Sequence, residues 1–252
     1  MLLAIDAGNT HVVCGLWDGT RWVATWRKAT CIDDTEDELA AWLRAMFDLS
    51  GLPFKVESAI GASVVPSLES ALAEMCNRWL GVELWLLRTG AQVGLEVVYE
   101  PPTAVGADRL ANAIGALALF TPPIVVVDFG TATTFDVIDA QGRYIGGAIL
   151  PGVQISSQAL FAKAAKLPAV KFSAPETAIG RDTTHSLQSG IMLGYADAID
   201  GLAGRICAEL GGEARIIATG GLGGMFLGIC KRIESYEPTL TLDGLRRAYE
   251  RR

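Results

Sequence analysis

The segment Ile124–Gly152, IVVVDFGTATTFDVIDAQGRYIGGAILPG, decides how this chain is expected to fold. Its apolar start, interrupted by Asp128, predicts a buried strand that ends at a carboxylate. Gly130 then allows the backbone to approach a ligand closely, and the threonines that follow supply hydroxyl groups. On either side of a turn at residues 140–142, apolar residues alternate with other residue types, which predicts two further strands.

The same arrangement occurs near the amino terminus, in residues 2–26, LLAIDAGNTHVVCGLWDGTRWVATW. Asp6 matches Asp128 and Gly8 matches Gly130, at a common offset of 122 residues. Because this offset is close to half of the 252-residue chain, we interpret it as a duplicated domain. The alternative is that two unrelated β-hairpins carry Asp and Gly by chance.

Two loops of the form acid-x-Gly with threonines are suited to a nucleotide polyphosphate. Backbone amides and hydroxyls hold phosphates, and carboxylates hold a metal ion or its waters. The sequence contains no G-x-x-x-x-G-K-[ST] loop. We therefore expect an ATP site of the actin, hexokinase and Hsp70 type, in the cleft between two related domains, residues 1–120 and 121–252.

Composition limits the classes of function. The net charge is −7 and the pI about 4.9, which argues against a nucleic-acid partner. The five cysteines form no C-x-x-C pair, as is usual for reduced thiols in a cytosol. We also expect no signal peptide and no membrane span, because the first apolar run is short and no long one follows. The sequence therefore predicts a cytoplasmic protein.

The order of predicted elements in the first half is β-β-β-α-β-α-β, as in an RNase H-like unit. A helix over Val105–Phe120 follows and begins with Gly106-Ala107-Asp108-Arg109, where the acid suits either a binding site or a helix cap.

In the second half, a strand at Arg215–Thr219 runs into a glycine cluster, which is suited to adenosine. A long helix over Leu187–Leu210 is apolar around most of its circumference, which predicts burial in its own core or against a partner.

Taken together, these motifs resemble the type III pantothenate kinases along essentially the whole chain. The motifs that carry the resemblance are Asp6-Ala7-Gly8-Asn9-Thr10, Pro101-Pro102 before Gly106-Ala107-Asp108-Arg109, Asp128-Phe129-Gly130-Thr131, Gly146-Gly147, Pro151-Gly152, Gln188-Ser189-Gly190, Thr219-Gly220-Gly221 and Leu240-Thr241-Leu242-Asp243-Gly244-Leu245. The D-x-G-N-T and G-A-D-R motifs together are the most specific of these.

The resemblance implies ATP-dependent phosphorylation of pantothenate to 4′-phosphopantothenate, the first step of coenzyme A biosynthesis. It further implies an α/β fold of two duplicated RNase H-like, actin-like ATPase domains. Mg²⁺ and a monovalent cation, K⁺ or NH₄⁺, are implied as cofactors beside ATP. The family also implies a homodimer that binds pantothenate near its interface.

Site residues are implied by the same resemblance. The ATP phosphate loop matches Asp6, Ala7, Gly8, Asn9, Thr10, His11, Val12 and Val13, and Thr131 matches a further ATP contact. The substrate-binding positions match Tyr99, Gly106, Ala107, Asp108, Arg109 and Thr183. Asp108 takes the place of the proton acceptor, and Asp128 that of the monovalent-cation ligand.

Two sites depart from the family's pattern, and His185 lies close to one of them in the chain. The family's G-K-N-T segment reads Gly180-Arg181-Asp182-Thr183 here, so the cation at its second position is retained and an acid is added. His11 stands where asparagine is common, either as a hydrogen-bond donor to phosphate or as an exposed loop residue. We expect His185 to be a surface residue.

These residue types suit phosphoryl transfer, which needs mainly positioning and charge neutralisation. Asp108 could accept the proton of the attacking hydroxyl, and Arg109 could pair with the pantothenate carboxylate. The two phosphate loops, 6–13 and 128–134, contain no lysine or arginine, which favours a dependence on bound cations.

Two alternatives belong to other classes of function. A sugar kinase or a polyphosphatase can share the fold, and the loop Gly106–Arg109 favours pantothenate over both. A regulatory protein is the second alternative, because the Bvg accessory factor, linked with transcriptional activation, is similar in sequence to this family. Asp6 and Asp108 are both retained, and the chain is acidic, which favours the kinase.

Overall fold

A computed structural model describes all 252 residues, which divide into two compact units. Unit 1 comprises Met1–Leu119 and Thr239–Arg252, and unit 2 comprises Phe120–Pro238. The strands are β1 (Leu2–Ala7), β2 (His11–Trp17), β3 (Trp22–Ala29), β4 (Ser58–Ser63), β5 (Leu84–Leu86), β6 (Ile124–Phe129), β7 (Ala132–Ile138), β8 (Tyr144–Pro151), β9 (Arg215–Thr219) and β10 (Ser235–Tyr236). The α-helices are α1 (Glu36–Leu49), α2 (Pro66–Met75), α3 (Ala107–Leu119), α4 (Val153–Lys163), α5 (Thr183–Gln188), α6 (Gly194–Glu209), α7 (Gly223–Phe226) and α8 (Leu240–Arg251).

The two units repeat one sheet topology. Unit 1 has the strand order β3-β2-β1-β4-β5, and unit 2 has the equivalent order β8-β7-β6-β9-β10. In each unit the first three strands pair antiparallel, and the last two join as parallel strands. The predicted duplication is therefore confirmed, with β6 in the place of β1.

Unit 1 has helices on both faces of its sheet. On one face, a core of apolar side chains joins the sheet to α1 and α2, among them Leu43, Phe47 and Leu68. Thr35 and Glu38 cap the start of α1 reciprocally, which explains the residue types at these two positions. On the other face, a Cβ atom at Gly15 of β2 would meet Leu242 of α8, so this glycine allows α8 to lie against the sheet.

The carboxyl-terminal helix α8 belongs to unit 1 rather than to the second half of the chain. It packs along α3, where Gly244 leaves no room for a Cβ against the carbonyl of Ala111. Trp22 Nε1 donates to Asp243 Oδ1 at 2.9 Å, which ties the helix to β3. This arrangement differs from the predicted division, which counted residues 121–252 as one domain.

Unit 2 buries one face of its sheet beneath helices. Phe129 of β6 stacks on Phe226 of α7, with ring centroids 4.8 Å apart and planes 8° apart. The predicted helix over Leu187–Leu210 is interrupted, because a π-helical turn at Ser189–Leu193 separates α5 from α6. Only one stripe of this region is fully buried, at Met192, Ala196, Ile199, Ala203 and Cys207.

The buried stripe corrects the expectation that this helix is apolar around most of its circumference. Its spacing of three and four residues places it on one face, within the core of unit 2 itself. Asp197, Ala198 and Gly201 lie on the exposed side. No helix of the structure is both long enough and apolar enough to cross a bilayer.

Candidate functional site

The first candidate phosphate loop is a tight turn between β1 and β2. Asp6 is half-buried near the end of β1, opposite Val13 of β2. The N–H of Gly8 donates to His11 O at 3.0 Å, and a Cβ at Gly8 would lie 3.2 Å from that oxygen. Glycine therefore allows this compact turn, which leaves Asn9, Thr10 and His11 exposed to solvent.

Thr30, which the sequence analysis did not select, donates two hydrogen bonds to this turn. Its hydroxyl donates to Gly8 O at 2.6 Å, and its N–H donates to Thr10 O at 2.9 Å. Two carbonyl groups of the turn are thereby occupied, and the backbone geometry of the turn is constrained. Only the pairing of β2 with β3 brings Thr30 to this position, so local sequence gave no signal for it.

His11 lies at the exposed start of β2. Desolvation and the positive charge of Arg27 lower the pKa of His11 from its ordinary value. The imidazole is therefore neutral at neutral pH, and one of its ring nitrogens can donate a hydrogen bond.

The Gly-Ala-Asp-Arg loop places Asp108 in the first turn of α3. Asp108 Oδ1 accepts the N–H of Arg109 at 2.8 Å, as an acid at a helix start commonly does. The same oxygen lies 2.5 Å from where a Cβ of Gly106 would be, so any larger residue there would displace the carboxylate. Gly106 thus has a steric role in orienting Asp108.

Burial is the main influence on Asp108. Desolvation raises the pKa of this carboxyl above its ordinary value, and the N–H and positive charge of Arg109 oppose the rise. A carboxylate with a raised pKa is a stronger proton acceptor than an exposed one. The raised pKa of Asp108 is compatible with a role in proton transfer as well as with a role at the start of the helix.

Within unit 1, Asp108 and the phosphate loop lie at the same edge of the sheet. β1 and β4 are parallel, so their carboxyl ends coincide, and Val64 N–H donates to Ala7 O at 3.1 Å. A Cβ at Gly106 would lie 3.7 Å from Val64 Cγ1. Val64 therefore joins the two motifs, in the position where open α/β sheets bind ligands.

In unit 2, the second candidate phosphate loop repeats the turn of the first with one residue fewer. Asp128 pairs with Thr134, and Gly130 N–H donates to Ala132 O at 3.0 Å. Thr131 is exposed, and its carbonyl accepts the N–H of Gly152 at 3.1 Å. A Cβ at Gly152 would overlap that carbonyl, which explains the glycine after Pro151.

The glycine cluster after β9 lies beside Asp128. Asp128 and Thr219 are register partners in parallel strands, and Gly220 follows with φ +83°. A Cβ at Gly220 would lie 2.7 Å from Phe129 N and would also meet the Asp128 carboxylate. Gly220 therefore supplies both the left-handed backbone and the close approach to this carboxylate.

The Gly180–Thr183 segment forms the start of α5. It lines a surface depression of about 540 Å³ together with Leu167 and Ser186. Asp182 is the cap of α5 and accepts the N–H of His185 at 2.8 Å. Because asparagine caps helices equally well, the acid at this position is compatible with the family's G-K-N-T segment.

His185 has a defined partner, so the expectation of a plain surface residue is incomplete. It is half-buried, and Nε2 lies 3.0 Å from Thr177 O. A carbonyl accepts, so the contact requires the proton on Nε2 and fixes the loop that precedes Gly180.

Comparison with known proteins decides the family. A family model for type III pantothenate kinases matches residues 2–205. A type III pantothenate kinase of Myxococcus xanthus is 43% identical and covers 100% of this chain and 98% of that relative. One from Thermomicrobium roseum is 48% identical, with 100% and 97% covered. The chain belongs to the type III pantothenate kinase family.

Membership makes the chain an ATP-using kinase, a phosphotransferase with an alcohol group as acceptor. The fold, that of the actin-like ATPases and sugar kinases, extends to more distant proteins. A crystal structure of a Baf family protein from Campylobacter jejuni superposes with a TM-score of 0.65, covering 98% of this chain and 97% of that one. At 18% identity this likeness concerns the fold alone.

Tyr99 is the remaining candidate for substrate binding in this pantothenate kinase. It lies in the loop before α3, with 38% of its surface exposed. The 3₁₀ turn Pro102–Ala104 separates this tyrosine from Asp108 in the chain. An exposed aromatic ring beside a polar loop is suited to contact a ligand that has both apolar and polar parts.

The oxygen donors present fit the implied cations in different ways. The structure contains no cluster of three or more His, Cys, Asp or Glu side chains that could hold a metal ion. Mg²⁺ in kinases is commonly held by one or two carboxylates and by the phosphates of the nucleotide, so Asp6 is sufficient as a protein partner. Asp128 is suited to a monovalent cation, because its carboxylate lies against the backbone at Gly220 and near the carbonyl oxygen of Phe129.

Proposed function

We propose that this chain transfers the γ-phosphoryl group of ATP to the hydroxyl of pantothenate, with Asp108 as the proton acceptor. The product is 4′-phosphopantothenate, in the first step of coenzyme A biosynthesis. The observation that carries the proposal is the half-buried, partly desolvated Asp108 carboxylate at the same sheet edge as the Asp6–Gly8 turn. Family membership over the whole chain supports the choice of substrate.

In this mechanism each element of unit 1 has a separate task. The N–H groups and hydroxyls of the exposed turn, Asn9 and Thr10, bind phosphate oxygens, and Asp6 holds Mg²⁺ or its waters. Asp108 removes the proton of the attacking hydroxyl, while Arg109 binds the pantothenate carboxylate through its planar fork. Tyr99 and Thr183 contact pantothenate.

The metal ions supply charge neutralisation at the phosphates. We propose that Asp128 binds K⁺ or NH₄⁺ and that Thr131 contacts ATP beside it. The half-buried carboxylate at the end of β6 and the neighbouring glycine backbone support this assignment. We also propose a cytoplasmic location, which the five free cysteines support.

The reaction is tested by measuring ADP release from ATP with Mg²⁺ and K⁺, with and without pantothenate. Release should depend on pantothenate, and mass spectrometry should detect 4′-phosphopantothenate. Hexoses in place of pantothenate test the sugar-kinase alternative, and inorganic polyphosphate tests the polyphosphatase alternative. Pantothenate-independent release, or turnover only with a sugar, would contradict the proposal.

We further propose a homodimer with pantothenate pockets that take residues from both subunits. Exposed apolar side chains on the edge strand β8 and on α4 support an interface in unit 2, namely Ile149, Ile155 and Leu160, with 65%, 46% and 41% of their surfaces exposed. The helix α6 gives no further support, because its buried stripe packs within unit 2.

Subunit mixing tests the shared pocket. Asp108→Asn chains and Thr183→Trp chains should each keep only a small residual rate, whereas verified mixed dimers should regain part of the wild-type rate. One pocket in each mixed dimer then contains both native residues. If mixed dimers stay inactive, each pocket is built within one chain. Analytical ultracentrifugation of the wild-type chain supplies the control for dimer formation.

A further inference from the structure

A guanidinium group lies on the same face of the sheet as the candidate phosphate loop, although it is distant in sequence. Asp6 of β1 pairs with Val13 of β2, and Val13 pairs in turn with Arg27 of β3. Directly paired residues of antiparallel strands direct their side chains to one face of a sheet. Arg27 is therefore two strand spacings from Asp6, about 10 Å, on the same face.

The turn itself is still closer to Arg27. His11 lies two residues before Val13 in β2 and so shares its face of the sheet. The charge of Arg27 reaches His11, because it contributes to lowering the pKa of that imidazole. The exposed end of the turn thus lies within the electrostatic field of Arg27.

Arg27 differs from the cation beside it in the chain. Lys28 points to the opposite face, where its ammonium forms an ion pair with Asp34 and is mostly buried. Arg27 is exposed and forms no ion pair with any residue of the chain. In a protein of net charge −7, an unpaired guanidinium beside a solvent-exposed turn favours an anionic ligand.

We propose that Arg27 binds the terminal phosphates of ATP and is a fixed cation of the phosphate site. The inference rests on the proposed function, in which the Asp6–Val13 loop holds the nucleotide. The planar fork of arginine binds two phosphate oxygens at once, which a lysine cannot reproduce. Arg27 thus supplies a positive charge that neither phosphate loop contains in its own sequence.

The test compares nucleotide binding by the wild-type chain, Arg27→Met, Arg27→Lys and Arg21→Met, by isothermal titration with Mg²⁺. Arg21 is the matched control, because it is an exposed arginine at the opposite end of the same hairpin. A non-hydrolysable ATP analogue should bind Arg27→Met about 10–100-fold more weakly, as expected for the loss of a charge-assisted hydrogen bond. Arg27→Lys should recover only part of this loss.

Further ligands show whether the effect is local to the phosphates. AMP and pantothenate should bind Arg27→Met as tightly as they bind the wild-type chain, and Arg21→Met should match wild type with every ligand. Unchanged analogue binding by Arg27→Met, or an equal loss with AMP, would overturn the inference alone. If the wild-type chain binds no adenine nucleotide, the proposed function fails, and the inference fails with it.

Discussion

Asp108→Asn should lower kcat by roughly 10²–10⁴-fold, the usual effect of removing a general base. The asparagine oxygen can still accept the N–H of Arg109, so the first turn of α3 should keep its geometry. What the variant lacks is a group that can take the proton of the attacking hydroxyl. Steady-state rates with saturating ATP and pantothenate measure the effect, and a thermal melt checks that the variant is folded.

The pH profile separates a base from a structural residue. Burial raises the pKa of Asp108, so its carboxylate form is lost at a higher pH than in an ordinary aspartate, whose pKa is about 3.9. The rate of the wild-type chain should therefore fall on acidification through that raised pKa. The residual rate of Asp108→Asn should lack this acidic limb. Near-wild-type turnover in the folded variant would remove Asp108 from the mechanism.

Asp128→Ala should abolish most of the response to monovalent cations. The wild-type rate should rise when Na⁺ is exchanged for K⁺ or NH₄⁺, because the carboxylate and the neighbouring backbone offer oxygens to a large cation. The apparent affinity for K⁺ should weaken by at least about 10–100-fold, the range known for losing even an outer partner of a metal site. A titration of kcat against K⁺ at constant ionic strength measures this change.

Asp128→Asn is the companion variant, because it keeps an oxygen and removes the charge. Its K⁺ response should lie between those of the wild-type chain and Asp128→Ala. Equal rates of the wild-type chain in Na⁺, K⁺ and NH₄⁺ would contradict the assignment of Asp128. The control is Asp18→Ala, which removes an exposed carboxylate in the turn between β2 and β3.

The parts of the fold that could be predicted from sequence are those with local causes. The continuous apolar run of β6, the alternating residues of β7 and the glycines of the turns act within a few residues, so both phosphate-loop hairpins could be located. Asp182 also carries a local signal, since an acid at the start of a helix is a common cap. The cap at Asp182 could therefore have been predicted, although the comparison with the G-K-N-T segment alone indicates only an additional negative charge.

The remaining features depend on contacts between distant segments. Thr30 reaches the first turn only through the register of β2 and β3. The helix α8 joins unit 1 through contacts with distant segments, namely the packing of Gly244 on Ala111 and the hydrogen bond from Trp22 to Asp243. The π-helical turn at Ser189–Leu193 could not be predicted, because a regular helical repeat of apolar residues contains no signal for it.

The membership of α8 in unit 1 has a consequence for synthesis on the ribosome. Unit 1 is completed by α8, which is translated only after all of Phe120–Pro238 has been made. At the usual elongation speed of about 5–20 residues per second, the first unit waits roughly 6–24 s for its final element. During that interval the surface of α3 that will bind α8 is uncovered. The unit that carries Asp108 thus reaches its native structure only after α8 has been synthesised.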